Sequence, residues 1–437
     1  MSPELLLTIC MFIALILAIL CSVSLGFAMG GVAVVTAFIL WGTPGFFPIV
    51  TGVFNYMWMV VLAAVPLFVF MGVALSKSGI AKDMYDAFYI WSGSLRGGLA
   101  VGSCAFAAAL SAMTGNCSAA TVTAGLVGIP PMRERGYKDS IIFGTICSAG
   151  TMGILIPPSI TLIIIGMTTG ESIGKLFAGG LTAGLFIVVL FIAYIIIRSY
   201  LQPDLAPARA EGSTMKEKIA ATRSIFLPIL VIISVLGSIF FGIATPTEAA
   251  SIGCVAVILC VAVRRELTWS FIKEVVYNTS TVTGMVLWIM FGAAGFICVY
   301  CGGGGARFIQ DLLLGLDIGP WGIYWITMIV VFILGMFLDP VGIILLVLPI
   351  FFPVIQKLGF DPIWYGVLFQ MNLCMGYITP PFGYNIFYIK TLSPQTPIGA
   401  IYKSVLPFVI IMVASLLIMT YVPNIITWLP NAMIKVG

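Results

Sequence analysis

Two short polar tips interrupt an otherwise apolar chain, and they are where side chains could do chemistry. The first is Thr114-Gly115-Asn116-Cys117-Ser118, and the second is centred on Leu338-Asp339-Pro340. Downstream of the first lies Pro157-Pro158-Ser159, and downstream of the second lies Pro380-Pro381, with Asn385 close behind. Hydroxyls, backbone carbonyls and a carboxylate suit the coordination of a hard cation. They do not make a nucleophile–base pair. The chain contains no histidine, which removes the HExxH metalloprotease, bis-His haem, and Ser-His or Cys-His catalysis. No phosphate-binding GxxxxGK[ST] run occurs, because Gly174-Lys175 is preceded by Thr169 where that motif needs glycine. Cys298 and Cys301 have CxxC spacing, but no second pair completes a metal site, and the pattern reads as packing.

These tips repeat. Offset the numbering by 223 and five Gly or Pro positions coincide: Pro130 with Pro353, Gly136 with Gly359, Gly153 with Gly376, Pro157 with Pro380, and Pro158 with Pro381. Asn116 falls on Asp339, and Tyr137 on Phe360. The apolar arms flanking the first tip are too short to cross a bilayer, which takes about 20 apolar residues. A re-entrant hairpin followed by a broken transmembrane helix is the simplest reading of Ser111 to Ser159. Two broken segments at matching places in two halves point to a carrier whose binding site lies at the repeat interface. A plain kink is the other reading of the Pro pairs.

Composition sets the class. Of 437 residues, 61% are hydrophobic and 8% charged, against about 25% charged in a soluble domain. This is the composition of a polytopic membrane protein embedded in a lipid bilayer. The net charge of +4 does not imply nucleic acid, because the cations sit in short loops. Met1 to Leu7 lacks the basic start of a cleaved signal, so the first helix is expected to be retained.

The expected order of elements follows. Spans run from Leu5 to Cys21, Val23 to Trp41 and Met57 to Leu75, with an interfacial piece between Gly42 and Asn55. Ser76 to Arg96 reads as an amphipathic arm on the membrane surface. The first hairpin (about Gly98 to Pro131), the first broken helix (about Lys138 to Gly170) and a span from Leu176 to Ile197 complete residues 1–198. Residues 199–223 read as a polar cytoplasmic linker. Residues 224–437 repeat the plan: spans at Ile225 to Gly242, Ala249 to Val263 and Thr279 to Val299, then a Gly-rich second arm at Gly302 to Gly315. The second hairpin (Pro320 to Pro353), the second broken helix (Asp361 to Thr391) and a last span (Val405 to Trp428) follow. Thr245-Pro-Thr-Glu248 reads as a capping box. With the N-terminus outside, only Lys175, Arg307, Lys357 and Lys435 of the 20 Lys and Arg residues fall on the outer face. That bias fits the positive-inside rule and makes the two halves inverted. Glu171, Asp204 and Asp311 read as solvated loop charges.

Gly153-Ile-Leu-Ile-Pro-Pro-Ser159, Thr245-Pro-Thr-Glu-Ala249 and Thr379-Pro-Pro-Phe-Gly383 together resemble the large membrane subunit of TRAP (tripartite ATP-independent periplasmic) transporters. The resemblance covers essentially the whole chain, and the three motifs in this order are specific. It implies an all-α fold of the ion-transporter superfamily, elevator type, with two inverted repeats, each holding a re-entrant helical hairpin and a discontinuous transmembrane helix. It implies a sodium-coupled importer of a small organic anion (a carboxylate, a sialic acid-like sugar acid or a sulfonate) in the bacterial inner membrane. A small four-helix membrane subunit and a periplasmic substrate-binding protein are the expected partners. No segment for the small subunit is evident, so the chain resembles the unfused form. The first tip departs from the family's common Ser-Gly-Ser-like pattern.

Two or more sodium sites are expected, built from carbonyls freed at the breaks and completed by hydroxyls. The first pairs Thr114, Gly115, Asn116 and Ser118 with the break at Ala149, Gly150 and Gly153. The second pairs Gly335 and Asp339 with Gly376 and Thr379. Expected substrate contacts are Asn116, Pro158, Ser159, Pro381 and Asn385. Bland readings stand beside these: Thr114 and Ser118 as backbone caps, Asn385 as a cap, and Asp339 as a helix cap rather than an intramembrane functional carboxylate. A channel, an intramembrane enzyme and a proton-coupled carrier are the competing functions. The inverted broken helices, the missing catalytic pair and the scarcity of buried carboxylates argue against them in turn.

Overall fold

The computed structural model describes residues 2–92, 95–207 and 214–433. Residues 93–94 of the expected arm, residues 208–213 of the expected linker (with Arg209) and Lys435 lie outside the described residues. Among the described residues the fold is all helix, and seven helices are long and apolar enough to cross a membrane.

The first half contains α1 (Pro3–Leu20), α2 (Leu25–Trp41), α3 (Phe46–Met57), α4 (Ala64–Lys77) and α5 (Ile80–Ser92). It continues with α6 (Gly98–Thr114), α7 (Cys117–Glu134), α8 (Asp139–Gly150), α9 (Ile160–Thr169) and α10 (Ile173–Leu201). The second half contains α11 (Met215–Phe240), α12 (Pro246–Val263), α13 (Trp269–Gly302) and α14 (Gly305–Leu314). Then come α15 (Gly319–Gly335), α16 (Pro340–Lys357), α17 (Pro362–Gly376), α18 (Tyr384–Leu392), α19 (Ile398–Tyr421) and α20 (Asn424–Ala432). The offset of 223 carries α7 onto α16 at both ends, and carries α8 onto the start of α17 and α9 onto α18 within a residue. The hairpins are α6–α7 and α15–α16. The broken helices are α8/α9 and α17/α18. The arms are α5 and α14.

The repeats differ in one place. The offset lays α3 and α4 onto the two ends of α13, which is a single helix of 34 residues. In the first half that rod is broken at Trp58–Met59, followed by a 3₁₀ turn at Val60–Ala63. The expected interfacial piece at Gly42 to Asn55 is therefore helical and packs on α13. At 1.5 Å per residue α13 is about 51 Å long, well beyond the roughly 30 Å hydrocarbon core. It is the spine of the scaffold and packs on α2, α3, α4 and α16.

Two other boundaries differ from expectation. The helix α11 begins at Met215, inside the expected linker, because Thr214 and Glu217 form a capping box. The expected last span divides into α19 and α20 at Val422-Pro423, where proline ends the helix. The Thr245–Glu248 capping box is present as expected, with the Thr245 N–H donating to Glu248 Oε2 at 2.8 Å. Cys298 Sγ fills the space left by Gly52, which is the packing role read for it.

Small residues set the helix spacing, as they must where lipid removes any hydrophobic drive between helices. A Cβ on Gly292 of α13 would lie 2.2 Å from the Gly26 carbonyl oxygen on α2. Polar ties fix the rest. Arg264, at the end of α12, pairs with Asp83 of the arm α5 at 2.7 Å and with Glu266 at 3.3 Å. Lys77 pairs with Glu274 of α13. The arm's elbow is thus bound to the scaffold. At the base of the first hairpin, Arg133 donates to Asp139, Ser393 Oγ and Thr396 Oγ1. That lacing joins the first hairpin to the segment after the second broken helix.

Replacing Gly292 with Ala puts a methyl group into the Gly26 backbone, so the scaffold must part. Overpacking of this kind costs about 1–3 kcal/mol. Gly284, on the same helix, has nothing within 4 Å of its Cβ position. Gly292→Ala is therefore expected to lower the melting temperature of the purified protein by several degrees. Gly284→Ala is expected to leave it unchanged or raise it. Equal effects of the two would contradict close α2–α13 packing.

Candidate functional site

A cavity of about 220 Å³ opens where the two tips meet. The offset of 223 is written into its walls: Asn116 with Asp339, Ser118 with Val341, Ile154 with Tyr377, and Thr161 with Tyr384 all line it. Gly115, Ile160, Pro340 and Tyr388 add to the same lining. The third wall comes from the scaffold, as Val282, Met285 and Val286 of α13. Every polar group at the cavity belongs to a hairpin or a broken helix. The scaffold contributes only hydrocarbon and a thioether.

Local capping rules explain why helices begin here. Asn116 is the N-cap of α7, its Oδ1 accepting from the Ser118 N–H at 2.8 Å. Asp339 is the N-cap of α16, accepting from the Val341 N–H at 2.9 Å, with Pro340 at the first helical position. Ser159 is the N-cap of α9 and accepts from the Leu162 N–H at 3.3 Å. Gly383, with φ +60, turns the chain into α18. Four helices therefore begin beside one small cavity, and each start carries partial positive charge. Asp339 is the one formally charged residue in the lining, and no Lys or Arg belongs to it.

The opposite ends of the neighbouring helices supply carbonyls. The helices α6, α8, α15 and α17 end at Thr114, Gly150, Gly335 and Gly376. Each tip packs on its own break. Ser111 Oγ reaches the Ala149 and Gly150 carbonyls at 3.5 and 3.4 Å. Cys117 Sγ reaches the Thr151 carbonyl at 3.2 Å. A Cβ on Gly153 would lie 3.0 Å from the Asn116 carbonyl carbon, and one on Gly115 would lie 2.6 Å from the Pro158 oxygen. In the second half, a Cβ on Gly376 would meet the Gly335 oxygen at 2.5 Å. The expected pairings of first tip with first break, and second tip with second break, are thus close backbone contacts.

The remaining expected residues fall as follows. Thr114 Oγ1 donates to the Asn116 carbonyl at 3.3 Å, stiffening the tip. Thr379 Oγ1 donates back to the Met375 carbonyl at 2.6 Å. Ser159 Oγ donates to the Ile154 carbonyl at 2.6 Å and is fully buried behind the cavity wall. Pro381 is exposed, and its carbonyl accepts from the Tyr402 hydroxyl at 2.8 Å. Asn385 is fully buried and donates from Nδ2 to the Cys147 carbonyl at 3.3 Å, joining the two broken helices. Pro158, Ser159, Pro381 and Asn385 do not belong to the cavity lining.

Sequence reasoning did not find Thr161, Tyr377, Tyr384, Tyr388 or the α13 wall. Two of these carried a usable signal: the offset places Tyr377 opposite Ile154 and Tyr384 opposite Thr161. The α13 residues carried none, because Val and Met in an apolar helix have no distinctive pattern.

Comparisons with known proteins agree with this geometry. Residues 11–425 match the family described as Tripartite ATP-independent periplasmic transporter, DctM component. The chain is 32% identical over 373 residues to a C4-dicarboxylate TRAP transporter large permease protein of Pseudomonas aeruginosa, covering 85% of this chain and 86% of that protein. It is 31% identical over 373 residues to an ectoine/5-hydroxyectoine TRAP transporter large permease protein of Ruegeria pomeroyi, covering 84% and 85%. In overall fold it is similar to the crystal structure of the Alcanivorax borkumensis YdaH transporter, with a TM-score of 0.67 at 13% identity, covering 93% of this chain and 98% of that one. An all-helical, multi-pass chain with two inverted hairpin repeats, matched along nearly its whole length, therefore belongs to the large-permease (DctM component) family of TRAP transporters and is a transport protein rather than an enzyme.

Proposed function

We propose that this chain carries a small organic anion across the bacterial inner membrane, drawn inward by sodium. A periplasmic binding protein hands over the substrate, and a small four-helix membrane subunit extends the scaffold. The observation that carries this reading is the convergence of four helix N-termini on one cavity. Their N–H groups and dipoles favour an anion there.

Charge balance explains the coupling. An anion placed beside Asp339, with no Lys or Arg in the lining, is repelled unless cations enter with it. The carbonyl-rich ends at Gly150 and Gly376 lie beside the tips and offer oxygen ligands to a hard cation. Sodium at both breaks, with Thr114, Gly115, Asn116, Ser118, Ala149, Gly153, Gly335, Asp339 and Thr379 around them, would neutralise the site and order the tips. Asn116 serves both the first cation and the anion. The walls also suggest how the load moves. All polar contacts ride on the hairpins and broken helices, while α13 presents an apolar face. A load bound wholly to one body can slide past the other, which is elevator movement. A proton-coupled carrier would need its titratable group to be Asp339, the one carboxylate at the cavity.

The reading is tested by uptake into liposomes holding the complete complex. Accumulation should require both an inward sodium gradient and the binding protein. Equal uptake driven by a pH gradient without sodium would reject it. Within that assay, Ser118→Ala is expected to raise the sodium concentration for half-maximal uptake several-fold, and an unchanged value would remove Ser118 from the cation site. Asn caps a helix as well as Asp does, so Asp339→Asn should leave the melting temperature intact. It should lower sodium-driven uptake tenfold or more if the charge, rather than the cap, is what transport uses. Uptake at the wild-type level would leave Asp339 as a cap alone.

A further inference from the structure

We infer that the cavity imposes a size limit on the anion, and that Tyr384 and Tyr388 set it together with Met285. This rests on the cavity being the anion site, and it narrows the substrate to a carboxylate or sulfonate of no more than about ten non-hydrogen atoms.

The volume supplies the scale. A dry cavity of about 150 Å³ holds benzene, roughly 25 Å³ for each non-hydrogen atom. The 220 Å³ here thus holds about nine such atoms, below the roughly 300 Å³ at which pockets for drug-sized molecules begin. A four-carbon dicarboxylate has about eight, and ectoine about ten. A nine-carbon sugar acid such as N-acetylneuraminate has about twenty-one and overfills the space twofold.

Part of the wall is braced. Tyr384 and Tyr388 are one turn apart on α18, so both rings present to the cavity from the same face. Tyr384 is held on its other side by the Tyr377 ring at 5.3 Å between centroids, and its hydroxyl reaches the Phe337 carbonyl at 3.5 Å. Opposite, Met285 projects from the long scaffold helix, which Gly292 seats against α2. The capped tips form the neighbouring walls. Removing side-chain atoms at Tyr388 or Met285 is thus the direct way to enlarge the space. Tyr388 belongs to the moving body and Met285 to the scaffold, so truncating either one widens the cavity from an independent side.

The test is the melting temperature of the complete complex in detergent. It is measured with sodium alone, then with sodium plus succinate, ectoine or N-acetylneuraminate. Sodium alone should raise it, which reads the cation sites without any anion. Succinate or ectoine should raise it further, and N-acetylneuraminate should not. Tyr388→Ala and Met285→Ala should each admit N-acetylneuraminate, giving a shift that the wild type lacks. A wild-type shift with N-acetylneuraminate overturns the size limit while leaving the sodium response, and hence the transport reading, intact. So does a pair of variants that both still refuse it. Loss of the sodium response itself counts against the transport reading, and a sodium response without any shift from succinate or ectoine overturns the assignment of this cavity.

Discussion

Unpaired backbone is the constraint on which this structure turns. In hydrocarbon each unsatisfied N–H or C=O costs several kcal/mol, so non-helical chain survives at membrane depth only when buried in protein or lining a cavity. Two helix breaks lie beside the cavity, at 151–159 and 377–383. Each break is roofed by the tip of its own hairpin, through contacts so short that Gly115 and Gly376 leave no room for a side chain and Gly153 leaves little. Side chains complete the satisfaction: Ser111, Cys117, Ser159 and Tyr402 each donate to a carbonyl at or beside a break. What gathers at the cavity are helix ends, the starts of α7, α9, α16 and α18 beside the carbonyl ends of α6, α8, α15 and α17. The proposed anion and its counter-cations are matched to such a place by the dipoles of those ends.

The difference between the halves has a mechanical sense. One continuous α13 and its broken counterpart α3–α4 make the scaffold asymmetric, although the offset between the repeats is otherwise kept. The unbroken rod presents Val282, Met285 and Val286 to the cavity. The broken one puts Gly72 against Thr114, where a Cβ would lie 2.6 Å from the carbonyl oxygen. An apolar wall on one side and a close backbone contact on the other leave the polar groups of the cavity to the hairpins and broken helices. Arg133 and Asn385 each bond across the two repeats, Arg133 tying the first hairpin to the segment after α18 and Asn385 tying α18 to α8.

The legible part of this architecture was written in glycine and proline. Gly153, Pro157 and Pro158 recur at Gly376, Pro380 and Pro381 because only those residues permit the breaks, so the repeat, the tips and their pairing could be read directly. Asp339 shows the limit of that reading. Its position before Pro340 signals a cap, its place in an apolar run signals function, and the structure gives it both a cap bond and a place on the cavity. Asn385 and Ser159 were read as facing substrate because they follow proline pairs. The Ser159 hydroxyl and the Asn385 Nδ2 turn instead to backbone carbonyls behind the wall, while Asn385 Oδ1 is buried without a partner. The tyrosines stayed hidden because an aromatic residue in an apolar helix looks the same whether it faces a core or a cavity. The start of α11 was lost for a simpler reason: charged residues around Thr214 and Glu217 resemble a linker until the capping box is noticed.

A structure of the complete complex in lipid, loaded with sodium and succinate, tests the central claim most directly. The account predicts anion density between the two tips, within hydrogen-bond distance of N–H groups at the starts of α7 and α16, with cation density beside Gly150 and Gly376. Anion density elsewhere in the molecule, with the space between Asn116 and Asp339 filled by water alone, would contradict it.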